Sequence, residues 1–230
     1  MQEIYIPEEA YLPKIILEGT HLTHKTDISF AIAESPRIVK GRIHRYHLPL
    51  VSAEWEILDT PESKPISQRN SIITFQPHEE EYAMETYRTW IKLIELQRHW
   101  YWVLDRFHIS TRAFQLTNAN KDYTFDWLEE RLAALNFQII LCTRPVETFE
   151  EARQERLTYS ESPANYDNLQ KFIDEQELMR ELIKQSRLKT LEIDISKHTV
   201  ESAANFILDW LNVPNTNPFM EAALKKKNLK

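Results

Sequence analysis

Glycine is almost missing from this chain: its 230 residues hold two, where an average composition would supply about sixteen. A sequence so sparing of the residue that tolerates positive φ places it where the backbone demands it, which makes the position of Gly19 informative. Cysteine is scarcer still. The single Cys142 excludes an internal disulfide, and its apolar surroundings over 137–142 predict a buried structural thiol rather than a nucleophile. No apolar stretch approaches the roughly 20 residues of a membrane span. The opening Met-Gln-Glu-Ile-Tyr lacks the basic-then-apolar order of a secretory signal, so the expectation is a soluble, cytoplasmic protein with no membrane partner. The chain has no G-x-S-x-G elbow, which removes the simplest serine-hydrolase reading. A formal net charge of −7 argues against a broad basic surface for nucleic acid, and the closing Lys225-Lys226-Lys227 and Lys230 read as a solvated terminus. The pairs His21/His24 and His44/His47 have H-x-x-H spacing, but neither has a neighbouring Cys or an H-E-x-x-H context, so they do not make a zinc signature.

What is present alternates. Strand-like runs over 14–18, 43–55 (broken by Pro49), 100–104, 137–143 and 190–195 are separated by helical patterns over 26–33, 79–99, 126–135, 145–157, 169–185 and 200–211. That order predicts a three-layer α/β fold, a mostly parallel central sheet flanked by helices, in one domain over 1–230. The first helix is expected to stop before Pro36. Tyr82, Tyr87, Trp90, Ile91, Ile94 and Leu96 are expected to fall mostly along one core-facing stripe, and Trp55, Trp100 and Trp102 to pack inside. The segment 59–77, with three prolines, and the segment 144–168 read as binding or lid segments.

Gly19 follows the apolar run Ile15-Ile16-Leu17 and opens Glu18-Gly19-Thr20-His21-Leu22-Thr23-His24-Lys25-Thr26. In the pattern G-x-x-x-x-G-K-[ST], backbone N–H groups wrap phosphate oxygens, the lysine reaches the β- and γ-phosphates, and the hydroxyl serves Mg²⁺. Gly19, Lys25 and Thr26 keep that spacing, so Gly19, Thr20, His21, Leu22, Thr23, His24, Lys25 and Thr26 form a candidate nucleotide loop, with ATP and Mg²⁺ as cofactors. His24 stands at the second glycine. It predicts either a strained backbone there or weakened nucleotide binding.

In open parallel sheets, ligands bind beyond the carboxyl ends of the strands. Three polar clusters are placed there: the loop, Asp105-Arg106 after the strand at 100–104, and Arg144 after 137–143, with Arg153 and Arg156 on the helix beyond. Cations around a migrating phosphate and a carboxylate near the metal or the acceptor are what phosphoryl transfer needs.

The run Asp105-Arg106-Phe107-His108-Ile109-Ser110-Thr111-Arg112-Ala113-Phe114-Gln115 resembles the D-R-[YFH]-x-x-S-x-x-A-[YF]-Q segment of thymidylate kinases, and Glu18-Gly19 with Lys25-Thr26 resembles that family's E-G-x-x-x-x-G-K-[ST] loop. The resemblance implies a P-loop kinase. Lys25 would bind donor phosphates, Thr26 and Asp105 would serve Mg²⁺, Arg106 would hold an acceptor phosphate, Ser110 and Gln115 would face the acceptor, and Arg153 and Arg156 would act from a lid. It also implies a nucleotide donor, a small nucleoside or nucleotide acceptor, and a homodimer as one assembly. The family's R-E-P-G-G-T segment is absent. Ser52-Ala53-Glu54-Trp55 stands in that region, and Glu54 is similar to the base of deoxynucleoside kinases. The sequence leaves two rivals open: a non-catalytic nucleotide sensor or scaffold, and a protein-interaction module using the aromatic helix and the 59–77 loop.

Overall fold

The computed structural model describes residues 13–39, 50–58, 69–98, 100–160 and 162–215. The strand expected over 43–49, most of the 59–77 segment, His44, His47 and the lysine-rich terminus lie outside the described residues.

Five strands form one parallel sheet in the order β2-β3-β1-β4-β5: β1 Lys14–Glu18, β2 Leu50–Ser52, β3 Trp102–Asp105, β4 Gln138–Thr143 and β5 Lys189–Asp194. β3 and β4 are buried along their whole length and β1 is buried beyond Lys14, as central parallel strands covered on both faces must be. Their side chains alternate. Ile16, Leu104, Ile139 and Leu141 enter one core, while Ile15, Leu17, Val103, Ile140 and Cys142 enter the other. Buried Cys142 has its thiol pushed up to about 12, which suits packing and not nucleophilic attack.

The second core is covered by α1 Lys25–Glu34, the short α2 Pro36–Val39 and α8 Val200–Trp210. The first is covered by α3 Glu80–Leu96, α4 His108–Ala119, α5 Asp126–Ala134 and α7 Leu169–Lys184. A satellite cluster of Phe149, Tyr166 and Phe172 joins α6 Phe149–Leu157 to α7. The chain leaves β1 for α1 on one face and leaves β3 for α4 on the other, although β1 and β3 are neighbours. That reversal opens a crevice at their carboxyl ends, where an open sheet binds its ligand.

Several expectations need correction. Pro36 begins α2 rather than only ending α1, because a proline at the first helical position gives up an N–H that had no partner there. β3 starts at Trp102, and Trp100 is exposed. Trp55 is 77% exposed beside the site instead of packed. On α3 the buried stripe is Ala83, Tyr87, Ile91 and Ile94; Tyr82 and Leu96 lie off it and face solvent, since one residue turns the helix by about 100°. Of the 59–77 segment, Ile72, Ile73 and Phe75 are core residues. Among the described residues, no helix is long and apolar enough to cross a membrane.

Candidate active site at the carboxyl ends of the strands

The loop after β1 has three positive-φ positions, Gly19, Leu22 and His24, of which the first and last occupy the two glycine positions of the motif. Gly19 has φ +150°, and a Cβ there would lie 2.6 Å from the Cys142 carbonyl oxygen and 2.9 Å from Thr23 Oγ1. Gly19→Ala is therefore expected to force β1 and β4 apart at the loop, destabilising the fold by about 1–3 kcal/mol and weakening nucleotide binding. Melting curves and a nucleotide titration on the same variant check both effects. His24, at the N-cap of α1, has φ 49° and ψ 16°, the left-handed conformation that a glycine would adopt freely. The loop path is kept and the histidine carries the strain, of order 1–2 kcal/mol. Its ring lies 3.3 Å from Asp27 through Nδ1 and 3.6 Å from Glu155 through Nε2, which ties the loop to α6.

Lys25, the first residue of α1, is 6% exposed, and its ammonium has no hydrogen bond or ion pair among the described residues. Burial pushes its pKa down, and Arg106 adds to that; Glu54, Asp105 and Glu175 act the other way. Thr26 donates its hydroxyl to Asp105 Oδ2 at 2.8 Å, which joins the loop to the end of β3 across the crevice. The other oxygen, Asp105 Oδ1, is buried without a partner among the described residues. A spare carboxylate oxygen beside a hydroxyl fits Mg²⁺, which takes one or two protein oxygens and completes its shell with phosphate and water.

Arg106 follows at φ 58°, buried, with Nε 3.3 Å from Glu54 Oε2 but not aligned as a hydrogen bond, and Nη1 3.4 Å from Glu175 Oε1. Its Nη2 is buried and unpartnered among the described residues, so one donor of the fork is held ready for an anion. Glu54 sits just past β2 and also lies 3.8 Å from His21 Nε2. Burial would raise its pKa, but Arg106, Lys25 and His21 together hold it well below the usual carboxylate range, so it stays ionised. Burial, with Arg106 and Lys25 nearby, lowers the pKa of His21, and its neutral ring packs at 5.3 Å from Phe172 and 6.1 Å from Tyr166.

No family model matches the chain, and no curated protein matches it in sequence. Solved structures do match. The YorR protein of Bacillus subtilis, in complex with phosphorylated GDP, superposes with a TM-score of 0.58 at 14% identity over 86% of this chain and 95% of that one. This chain shares that protein's three-layer α/β fold, a five-stranded parallel sheet flanked by helices. Looser likenesses are the deoxyadenosine kinase of M. mycoides with products bound (TM-score 0.47, 15% identity, 86% of this chain and 98% of that chain) and the shikimate kinase of Acinetobacter baumannii with shikimate (0.42, 19%, 88% and 94%).

Within this three-layer fold, Glu18 joins the two sequence motifs. Its buried carboxylate accepts from Phe107 N–H and Ile109 N–H through Oε1, both at 3.1 Å, and from the Ser110 hydroxyl through Oε2 at 2.5 Å. It thus caps α4, which has no side-chain cap at its own Phe107. Ser110 and Gln115, expected to face an acceptor, are buried and spend their polar groups internally. Ser110 bonds Glu18, and the Gln115 amide donates to the carbonyls of Ile73 and Phe75 at 3.2 and 2.9 Å. All three guanidinium nitrogens of Arg153 pin its own segment, through Tyr166 O, Asp167 and Glu150. Arg156 donates to the Tyr166 hydroxyl at 2.9 Å, lies over the Tyr159 ring, and is close enough to help lower the Glu54 pKa. Glu175 on α7 went unnoticed in the sequence. It accepts from the Thr20 hydroxyl and from Arg106, and its only signal is a carboxylate at the edge of a helix whose neighbour Gln176 is buried. Beyond His24, a cavity of about 230 Å³ opens between α1 and the start of α8, with Ile28, Ile195, Val200 and Ala203 as apolar lining and Glu155 and His198 as polar lining.

Proposed function

We propose that this protein is an ATP-dependent phosphotransferase acting on a hydroxyl of a nucleoside, nucleotide or related acceptor. One observation carries the reading: ionised Glu54 and incompletely paired Arg106 face each other at 3.3 Å beside Lys25 and the Thr26–Asp105 pair. Lys25 neutralises charge on the donor β- and γ-phosphates, its low hydration making that charge effective. Thr26 and Asp105 would hold Mg²⁺, which would supply further neutralisation of phosphate charge when bound. Arg106 binds an anionic oxygen through Nη2. Glu54 orients the acceptor hydroxyl and takes its proton as transfer completes, since a carboxylate of low pKa is a weak base until the oxygen has become acidic. The cavity beyond His24 takes the donor base. Ser110 and Gln115 support the site from beneath, through Glu18 and the 72–75 segment, and Arg156 faces it from α6.

Glu54→Gln tests the reading, because it keeps the shape and removes the negative charge. Calorimetry with ATP and Mg²⁺ is expected to give micromolar-range binding by both proteins, with kcat lowered about 10²–10⁴-fold in the variant. Wild-type turnover by Glu54→Gln would remove the carboxylate from the mechanism, and absence of ATP binding would remove the donor assignment. The sensor reading rests on the strained His24 and its tie to Glu155. His24→Gly separates the two: a kinase keeps or gains turnover when the strain is relieved, whereas a sensor gains affinity alone.

A further inference from the structure

We infer that the carboxyl edge of β4 and β5 carries a second oxyanion site, built on Arg144 and separate from the phosphate loop. Arg144 is the residue after β4, and its backbone is clamped to α7. The Gln176 side chain accepts the Arg144 N–H at 2.8 Å and donates to the Arg144 carbonyl at 2.9 Å. The side chain is equally fixed. It is only 6% exposed, Nη1 donates to Thr148 O at 2.9 Å, and the guanidinium lies 5.9 Å from the centre of the Phe149 ring.

That anchoring leaves one edge over. Nε is buried without a partner, and Nη2 makes no hydrogen bond among the described residues. Nε and Nη2 carry the two parallel N–H bonds that grip a carboxylate or phosphate side-on. Two other arginines fill that edge: Arg112 presents it to Asp122 at 2.9 and 2.8 Å, and Arg131 presents it to Glu95 at 2.7 Å through both nitrogens. Arg144 itself lines a cavity of about 270 Å³, together with Thr143, Pro145, Arg180, Glu192 and Asp194.

The two carboxylates of that lining are already matched. Glu192 accepts from Arg180 at 2.8 Å and Thr143 at 3.1 Å, and Asp194 from Ser196, with Lys197 at 2.9 Å. Arg144 is therefore the cation of the lining with an open donor edge: burial lowers its pKa, Glu155, Glu151 and Asp194 act the other way without a hydrogen bond to it, and a bound anion would offset the remaining cost of burial. The ligand class is a small molecule with a terminal phosphoryl or carboxylate group. The cavity shares no lining residue with the one beyond His24, so both can be filled at once.

The test removes the loop first, because the loop also binds phosphate. The full chain carrying Lys25→Ala and Arg106→Gln, which removes both anion-binding cations of the first site, is titrated calorimetrically with inorganic phosphate and separately with acetate; it is expected to retain one anion-binding event, and the stronger of the two anions identifies the head group. Adding Arg144→Gln is expected to weaken that event at least tenfold. Arg144→Lys, which keeps the charge and the backbone clamp but lacks the fork, is expected to weaken it comparably and guards against misfolding of the glutamine variant. The inference is overturned if the Lys25→Ala/Arg106→Gln protein binds neither anion, or if both Arg144 variants of it bind as it does.

Discussion

Lys25→Met is expected to abolish phosphoryl transfer and at the same time raise the melting temperature. The two effects share one cause. Lys25 is buried, lies in the field of Arg106, and has no direct partner among the described residues, so Glu54, Asp105 and Glu175 offset the burial of its charge only in part and a bound phosphate would complete the compensation. Methionine fills nearly the same volume without that charge. Removing an electrostatic donor aimed at the transferring group costs on the order of 10²–10³ in kcat, and more where the lysine also positions the donor. Relief of even about 1 kcal/mol would raise Tm by roughly 2–4 °C in a chain of this size. Saturating-ATP kinetics and thermal melts of the same sample check both. An active Lys25→Met protein would sink the phosphate-loop reading. An inactive but destabilised one would mean that Glu54, Asp105 and Glu175 together outweigh the burial of the lysine.

The turn from β1 into α1 was legible because a rare glycine follows an apolar strand, with a lysine and a threonine at the start of the next helix. β1, β3 and β4 were legible because strands covered on both faces read as apolar runs. α4 was not, and the reason is physical. Its buried surface is largely polar: besides Ile109 and Ala113, His108, Ser110, Thr111, Arg112 and Gln115 are all inside, each hydrogen-bonded to a group from elsewhere, such as Glu129, Glu18, Tyr87, Asp122 and the 72–75 carbonyls. A helix buried through hydrogen bonds presents no apolar stripe of period 3.6, so periodicity cannot see it. The same arrangement draws Ser110 and Gln115 inward, although in sequence they look like ligand contacts. Glu175 was invisible for another reason, since its partner Thr20 is 155 residues away and nothing local marks the pair.

That polar underside makes Glu18 the residue whose loss should cost the fold most. β1 ends on Glu18 and the phosphate loop begins at the next residue, so a carboxylate fixed under α4 sets the loop against Asp105 and Arg106. Burial lifts its pKa, while His108, the Ser110 hydroxyl and Arg106 pull it back, a balance that an uncapped helix end would not need. Glu18→Ala strands the N–H groups of Phe107 and Ile109 in a dry interior. At about 1–3 kcal/mol for each unsatisfied group, the expected loss is about 2–6 kcal/mol, enough to lower Tm by roughly 2–4 °C for each kcal/mol lost. Glu18→Gln keeps an acceptor for both N–H groups and an amide beside Ser110, so it should retain most of that stability. Denaturant melts separate the two variants. If alanine and glutamine cost the same, the carboxylate's charge and not its acceptors would be holding α4. If neither costs anything, the two motifs are not coupled through this residue, and the crevice between β1 and β3 must be set by packing alone.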